Sequence, residues 1–179
     1  MKKIKALYAF GATAFFTIAT ITATGQAKPN LSDPEIASVA VTANKIDIGY
    51  AKIAQAKSRN ADVIQFAQTM AKDHQGVIDQ AVALVTKLKV TPKDNAVSKK
   101  LNADAEKERK ALNAKSGTDF DKAYINNEVS YHKAVISTVE NVLIPESQNA
   151  ELKALLQQVL PVLKTHLEHA EMIQKKIVK

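Results

Sequence analysis

The chain has 179 residues, a formal net charge of +7 and no cysteine. That length allows one domain with a real hydrophobic core, and the missing cysteine excludes disulfides, thiolate metal sites and a lipid-modified cysteine. Charges of both signs are interleaved, as in NADAEKERKALNAK, which reads as a solvated helix face and argues against a nucleic-acid partner.

The chain opens on MKKIKALYAFGATAFFTIATITATGQA. Lys2, Lys3 and Lys5 precede an apolar run from Ala6 to Ile21, and small residues (Gly25, Ala27) follow. That order is a secretory signal peptide over residues 1–27, cleaved after Ala27. It implies an exported, periplasmic or other extracytoplasmic protein with no stable transmembrane segment after signal removal. A permanent anchor would need ~20 apolar residues, and this run is shorter and diluted by threonine. Without the leader lysines the net charge is about +4. Residues 28–33 read as a short linker and 34–178 as the folded domain. Nothing in the sequence points to a particular protein partner.

The remainder is rich in helix formers, and its few glycines and prolines mark boundaries. Ser32 or Asp33 caps a first helix over about 34–57, with Pro34 in its first turn. Asn60 caps a second over about 61–89, which ends before Pro92 because the residue preceding a proline is pushed out of helical geometry. A thinner, more polar helix follows over about 94–114, and Gly117 breaks it. A fourth helix spans about 119–143, ending before Pro145. A fifth spans about 147–177 and contains Pro161, which should kink it or free a carbonyl. Four of the five carry an apolar stripe at bundle-seam spacing. The polar one reads as a connector long enough to carry the chain back along the bundle. The second and fourth helices then run parallel. The fold class is all-α, a ferritin-like four-helix bundle with a long crossover containing an additional helix.

Away from the helix ends, five ionisable residues interrupt the stripes: Asp47, His74, Glu128, His132 and His166. The stripe of the fourth helix, for example, runs Asp121, Ile125, Glu128, His132, Val135, Val139, Val142. A buried charge costs several kcal/mol unless it is paired or liganded. Each of the five lies within about four residues, ~6 Å, of its helix centre, so aligned helices bring them to one level. Three imidazoles and two carboxylates suit one divalent transition-metal ion, Zn²⁺, Cu²⁺, Fe²⁺ or Mn²⁺. His169, in a row flanking the last stripe, is a further candidate ligand. The competing reading is a metal-free hydrogen-bond network of histidines and carboxylates that fixes helix register in a structural or interaction module. Met70, Tyr50, Tyr124 and Tyr131 read as packing. No nucleophile with a base and no phosphate-cradling loop is visible, so an enzymatic role is disfavoured.

Four segments, NKIDIGYAKIAQAKS, FAQTMAKDHQ, SGTDFDKAYINNEVSYHKAV and LPVLKTHLEHAE, resemble a bacterial exported family known as domain of unknown function 4142, often labelled predicted outer membrane protein. The resemblance rests on Asp73–His74, on Phe120, Asp121 and Tyr124, on His132, and on Leu160–Pro161 followed by His166. It implies a ferritin-like fold with no established activity, and an acidic residue where Asp47 stands. The "outer membrane" label sits poorly with a chain that has no β-barrel pattern. The di-iron pattern of ferritin-like bundles needs a Glu-x-x-His on each of two helices. Here Ala71 and Leu163 stand three residues before His74 and His166, and Glu128 precedes His132 by four. That departure argues against ferroxidase or oxygenase chemistry and for a single histidine-rich ion.

Overall fold

The computed structural model describes residues 30–177; the expected leader and its cleavage point lie outside them. In chain order the elements are α1 (Asp33–Lys57), α2 (Ala61–Lys87), α3 (Ala96–Asn113), α4 (Gly117–Thr138), a π-helical segment (Val139–Leu143), a single turn α5 (Ile144–Glu146) and α6 (Ala150–Ile177). Among the described residues no strand occurs, and no helix is long and apolar enough to cross a membrane.

The helix starts follow local chemistry. The Glu35 carboxylate accepts from the backbone N–H and the hydroxyl of Ser32, and Pro34 sits in the first turn of α1. The Asn60 and Asn95 side chains accept the first free N–H groups of α2 and α3. Gly117 begins α4 with φ of +56°, a left-handed conformation that glycine adopts without a Cβ clash.

α1 and α2 form one antiparallel hairpin, and α4 and α6 form a second. Polar contacts show the directions. At one end Lys57 Nζ donates to the Asn113 carbonyl and Ser58 Oγ to Asp121. At the other, Lys93 N donates to the Pro34 carbonyl, and the Asp33 carboxylate accepts from the backbone N–H groups of Gln148 and Asn149. The chain therefore returns along α3, and α2 and α4 run parallel. α3 lies on α1, where the Arg109 guanidinium passes over Gly49; a Cβ there would meet its Nη2 at 3.2 Å. α1 is thus covered on two sides, which explains its wide apolar face.

Two apolar cores occupy the two halves of the bundle. One gathers Ile46, Ala54, Val63, Phe66, Tyr124 and Ile173. The other gathers Leu31, Ile36, Val39, Leu143, Leu152 and Leu156. The hairpins are clamped at both ends and pack sparingly on each other in between.

The sequence stripes hold with two differences. In the π segment Ile144 N donates to the Val139 carbonyl, five residues back. Ile136 and Leu143 are buried where the expected stripe would bury Val135 and Val142, which are half-buried; with Val129, His132 and Val139 the buried pair continues a row at ordinary three- and four-residue spacing. On α6, Pro161 is accommodated within one helix, and the Thr165 hydroxyl donates to the Pro161 carbonyl at 3.2 Å. Phe66 is fully buried against Tyr124 and His169. Replacing Phe66 with Ala should lower unfolding free energy in urea by about 3–5 kcal/mol, while Val82→Ala on the exposed face of α2 should change it by less than about 0.5 kcal/mol.

Candidate metal centre

Four helices supply the five polar side chains of the stripes: Asp47 from α1, His74 from α2, Glu128 and His132 from α4, and His166 from α6. All five are buried, Asp47 and Glu128 completely. They meet at one level between the two apolar cores. The ring centroids of His74, His132 and His166 lie 5.3–5.7 Å from one another, and one nitrogen from each ring falls within 4.8 Å of the others. Asp47, Glu128 and His132 form a second, overlapping group on the same criterion. Asp47 Oδ2 stands 3.4 Å from His74 Nε2 and 3.8 Å from His132 Nε2. His169 belongs to neither group; its half-buried ring packs edge-on against Phe66 at 5.2 Å.

Each imidazole has one nitrogen engaged and one free. His74 Nδ1 lies 2.7 Å from Asn44 Oδ1. The Asn44 amide nitrogen donates to the Ala40 carbonyl at 2.8 Å, so its oxygen faces the ring and His74 Nδ1 carries the proton. His132 Nδ1 lies 3.0 Å from the Glu128 carbonyl oxygen, which only accepts, so this nitrogen is the donor. His166 Nε2 lies 3.1 Å from the Asp73 carboxylate and donates to it. The lone pairs left over are those of His74 Nε2, His132 Nε2 and His166 Nδ1, and all three are buried without a hydrogen-bond partner. Both oxygens of Asp47 and of Glu128 are likewise buried with no donor from any other residue, and the two carboxyls face each other closely enough to share a proton.

Burial controls the charge of the cluster. It pushes the Asp47 carboxyl up to about 8 against the partial opposition of Glu128. It holds Glu128 well above the usual carboxylate range, with Asp47 adding to the effect. It lowers His74 well below the ordinary imidazole value, helped by His132 and His166. It lowers His132 to about 4 despite the bond to the Glu128 carbonyl, and lowers His166 against the pull of Asp73. The metal-free cluster is therefore uncharged near neutral pH, which removes the cost of burying isolated ions.

That neutrality leaves the lone pairs unanswered. Separations of 3.4 and 3.8 Å are too long for good hydrogen bonds. They are close to the ~3.3 Å that separates two ligands each 2.0–2.1 Å from a tetrahedral ion. A divalent ion would also be balanced by two deprotonated carboxylates. The donor set fits such an ion: three neutral imidazole nitrogens, each ring fixed by a bond on its far side, with a carboxylate alongside.

The fold and this cluster define an all-α crossover bundle with a buried histidine–carboxylate centre. The chain belongs to the family described as a domain of unknown function (DUF4142), which matches it over residues 19–173. No curated protein and no solved structure matches the chain.

Sequence reasoning did not assign a role to Asn44 or Asp73. Asn44 stands one helical turn before Asp47, on the same face. Asp73 is adjacent to His74, and the ~100° step between neighbouring helix residues turns it toward α6. A polar residue beside each stripe interruption was the available signal.

The charge states predict a pH dependence for metal-free protein. Folded Asp47 and Glu128 keep protons that the unfolded chain has lost, so their contribution is complete below about pH 4 and is lost as pH rises through the raised folded values, which for Asp47 is about 8. The histidines act oppositely and only below about pH 6.5, where unfolded imidazoles protonate and buried ones do not. Between pH 6.5 and 8 the carboxyls act alone. In EDTA, stability should therefore fall over that interval by roughly 1 kcal/mol per pH unit for each carboxyl titrating, and Asp47→Asn should flatten the slope, as read by thermal melting.

Proposed function

We propose that this chain is an exported, non-catalytic helical bundle that binds one divalent transition-metal ion through His74, His132 and His166. Asp47 completes the shell, and Glu128 supplies the second negative charge. Its role would be metal buffering or sensing in the cell envelope. The observation that carries this reading is the set of three buried imidazole lone pairs, each freed by a bond on the ring's other nitrogen and none met by a donor. Export is supported by the leader-like opening of the sequence. No Glu-x-x-His pair accompanies the histidines, so di-iron chemistry is not part of the proposal.

The ion would act as a staple. Asp47 and His74 belong to one hairpin; Glu128, His132 and His166 belong to the other. An ion held by both stabilises the union of the two hairpins by its binding free energy. Loading would also draw the protons from Asp47 and Glu128, so uptake releases protons and strengthens as pH rises.

Tag-free protein should carry about one ion per chain by elemental analysis and gain thermal stability with at least one of Zn²⁺, Cu²⁺, Fe²⁺ or Mn²⁺. His132→Ala should weaken binding of that ion by at least about 100-fold, since a ligand is removed. Protein with no bound metal and no melting shift for any of the four ions would overturn the proposal.

Asn44→Ala and Asp73→Ala test the outer bonds separately. Each should lower affinity about 10- to 100-fold while leaving one ion bound at saturation. Wild-type affinity in both variants would mean that these bonds do not set the rings for an ion.

The alternative is a metal-free module in which the same groups form a register-fixing network. It accounts for the engaged nitrogen of each ring, through Asn44, the Glu128 carbonyl and Asp73. It does not account for the three that remain.

A further inference from the structure

Beside and below the histidine cluster, reaching into the core containing Leu143 and Leu156, the two hairpins and α3 enclose a cavity of about 390 Å³. Its walls are aliphatic, with Val39, Ile78, Ala81, Val139, Leu156 and Leu163 among them. His74, His132, His166 and Asp47 also line it, so it has a long apolar body and a polar end. Protein cores rarely contain voids larger than a water molecule, and pockets of roughly 300–1,000 Å³ with apolar walls and a few convergent polar groups are the usual form of small-molecule sites.

The shape narrows the class of ligand. On α4 and the π segment the lining runs from Asn127 to Leu143, and the part beyond His132 is about 16 Å along the bundle axis at 1.5 Å per residue. α2 and α6 line it over comparable lengths, from His74 to Val85 and from Leu152 to His166. The lining is therefore extended along the bundle axis, which suits an elongated ligand. Val162 lines the cavity and is also exposed, which gives the slot an opening along α6. Most polar lining groups gather at the histidine cluster; Asp104 and Glu108 of α3 and Thr138 of α4 line the cavity as well.

We propose that this slot binds the hydrocarbon chain of a medium-chain carboxylic acid, laid along the bundle axis with its carboxylate at the histidine cluster. The head-group half of the proposal rests on the metal reading, because an ion held there would accept the carboxylate oxygen as a further ligand. The chain-binding half rests on the aliphatic walls alone. Buried length sets affinity in such a slot, since each methylene removed from water contributes independently of the head.

The test uses tag-free wild-type protein freed of co-purifying lipid on a hydrophobic resin. It is titrated calorimetrically with butanoate, octanoate and dodecanoate, with and without saturating Zn²⁺, and Zn²⁺ uptake is measured separately. One acid should bind per chain, with affinity rising up to about fourfold per added methylene. Zn²⁺ should tighten dodecanoate binding at least tenfold. Ala81→Phe, which places a ring in the slot, should lose dodecanoate while taking up Zn²⁺ as the wild type does, and circular dichroism should show it folded. If that variant does not fold, the chain-length series on the wild type decides alone.

Zn²⁺ uptake with no chain-length dependence overturns the slot and leaves the metal reading standing. Chain-length-dependent binding with no metal uptake at all overturns the metal reading and supports the slot. Equal dodecanoate affinity with and without bound Zn²⁺ overturns the placement of the head group.

Discussion

Five ionisable side chains meet in the interior of this bundle, and neither helical hairpin contains the set by itself. Asp47 and His74 stand on the α1–α2 hairpin, and Glu128, His132 and His166 stand on the α4–α6 hairpin. Bringing the hairpins together takes all five out of water. A buried charge without a partner is among the costliest features a core can contain. The protein meets that cost by keeping the imidazoles neutral and raising the carboxyl pKa values. The remaining unpaired lone pairs are a standing demand for either an ion or a proton donor.

The rest of the architecture follows from that constraint. Each hairpin is tightly packed within itself, and the two are tied at their ends. Ser58–Asp121 joins them near the α1–α2 turn, and Asp33 holds the backbone of Gln148 and Asn149 at the far end. In the middle the Tyr131 hydroxyl donates to the Ala43 carbonyl at 2.9 Å, beside the cluster. The space between these ties contains the polar groups at mid-height and the aliphatic cavity beyond them. A core filled from end to end by leucines would have closed that gap by ordinary hydrophobic packing. Here the two apolar cores flank the cluster, so the central layer is held in place by its neighbours. Leu143, at the end of the π segment, packs in the lower core and lines the slot.

Much of this was legible in the chain. Ser32 with Pro34, and Asn60, mark helix starts, and Gly117 marks a boundary, because capping and backbone freedom are local chemistry. The stripes of α2 and α6 identify His74 and His166 as interruptions because helical period alone decides which residues share a face. Two things were hidden. The buried row of α4 runs through Ile136 and Leu143 rather than Val135 and Val142 because two apolar rows lie side by side there, and the packing of the neighbouring helices chooses between them. His169 has a spacing close to that of His166, and only the neighbouring Phe66 ring shows that it packs instead in the upper core.

The sequence by itself determined the helices, their order, the crossover and the five polar residues at a common height, because all of these depend on period, capping and length. Only the tertiary structure decided which nitrogen of each imidazole is free. For His74 and His166 that choice depends on partners distant in the chain: Asn44 lies 30 residues from His74, and Asp73 lies 93 from His166. It also decided that the hairpins part below the cluster and leave a slot. Hydrophobic patterning specifies which faces turn inward, whereas the gap between two inward faces is set by how whole helices pack.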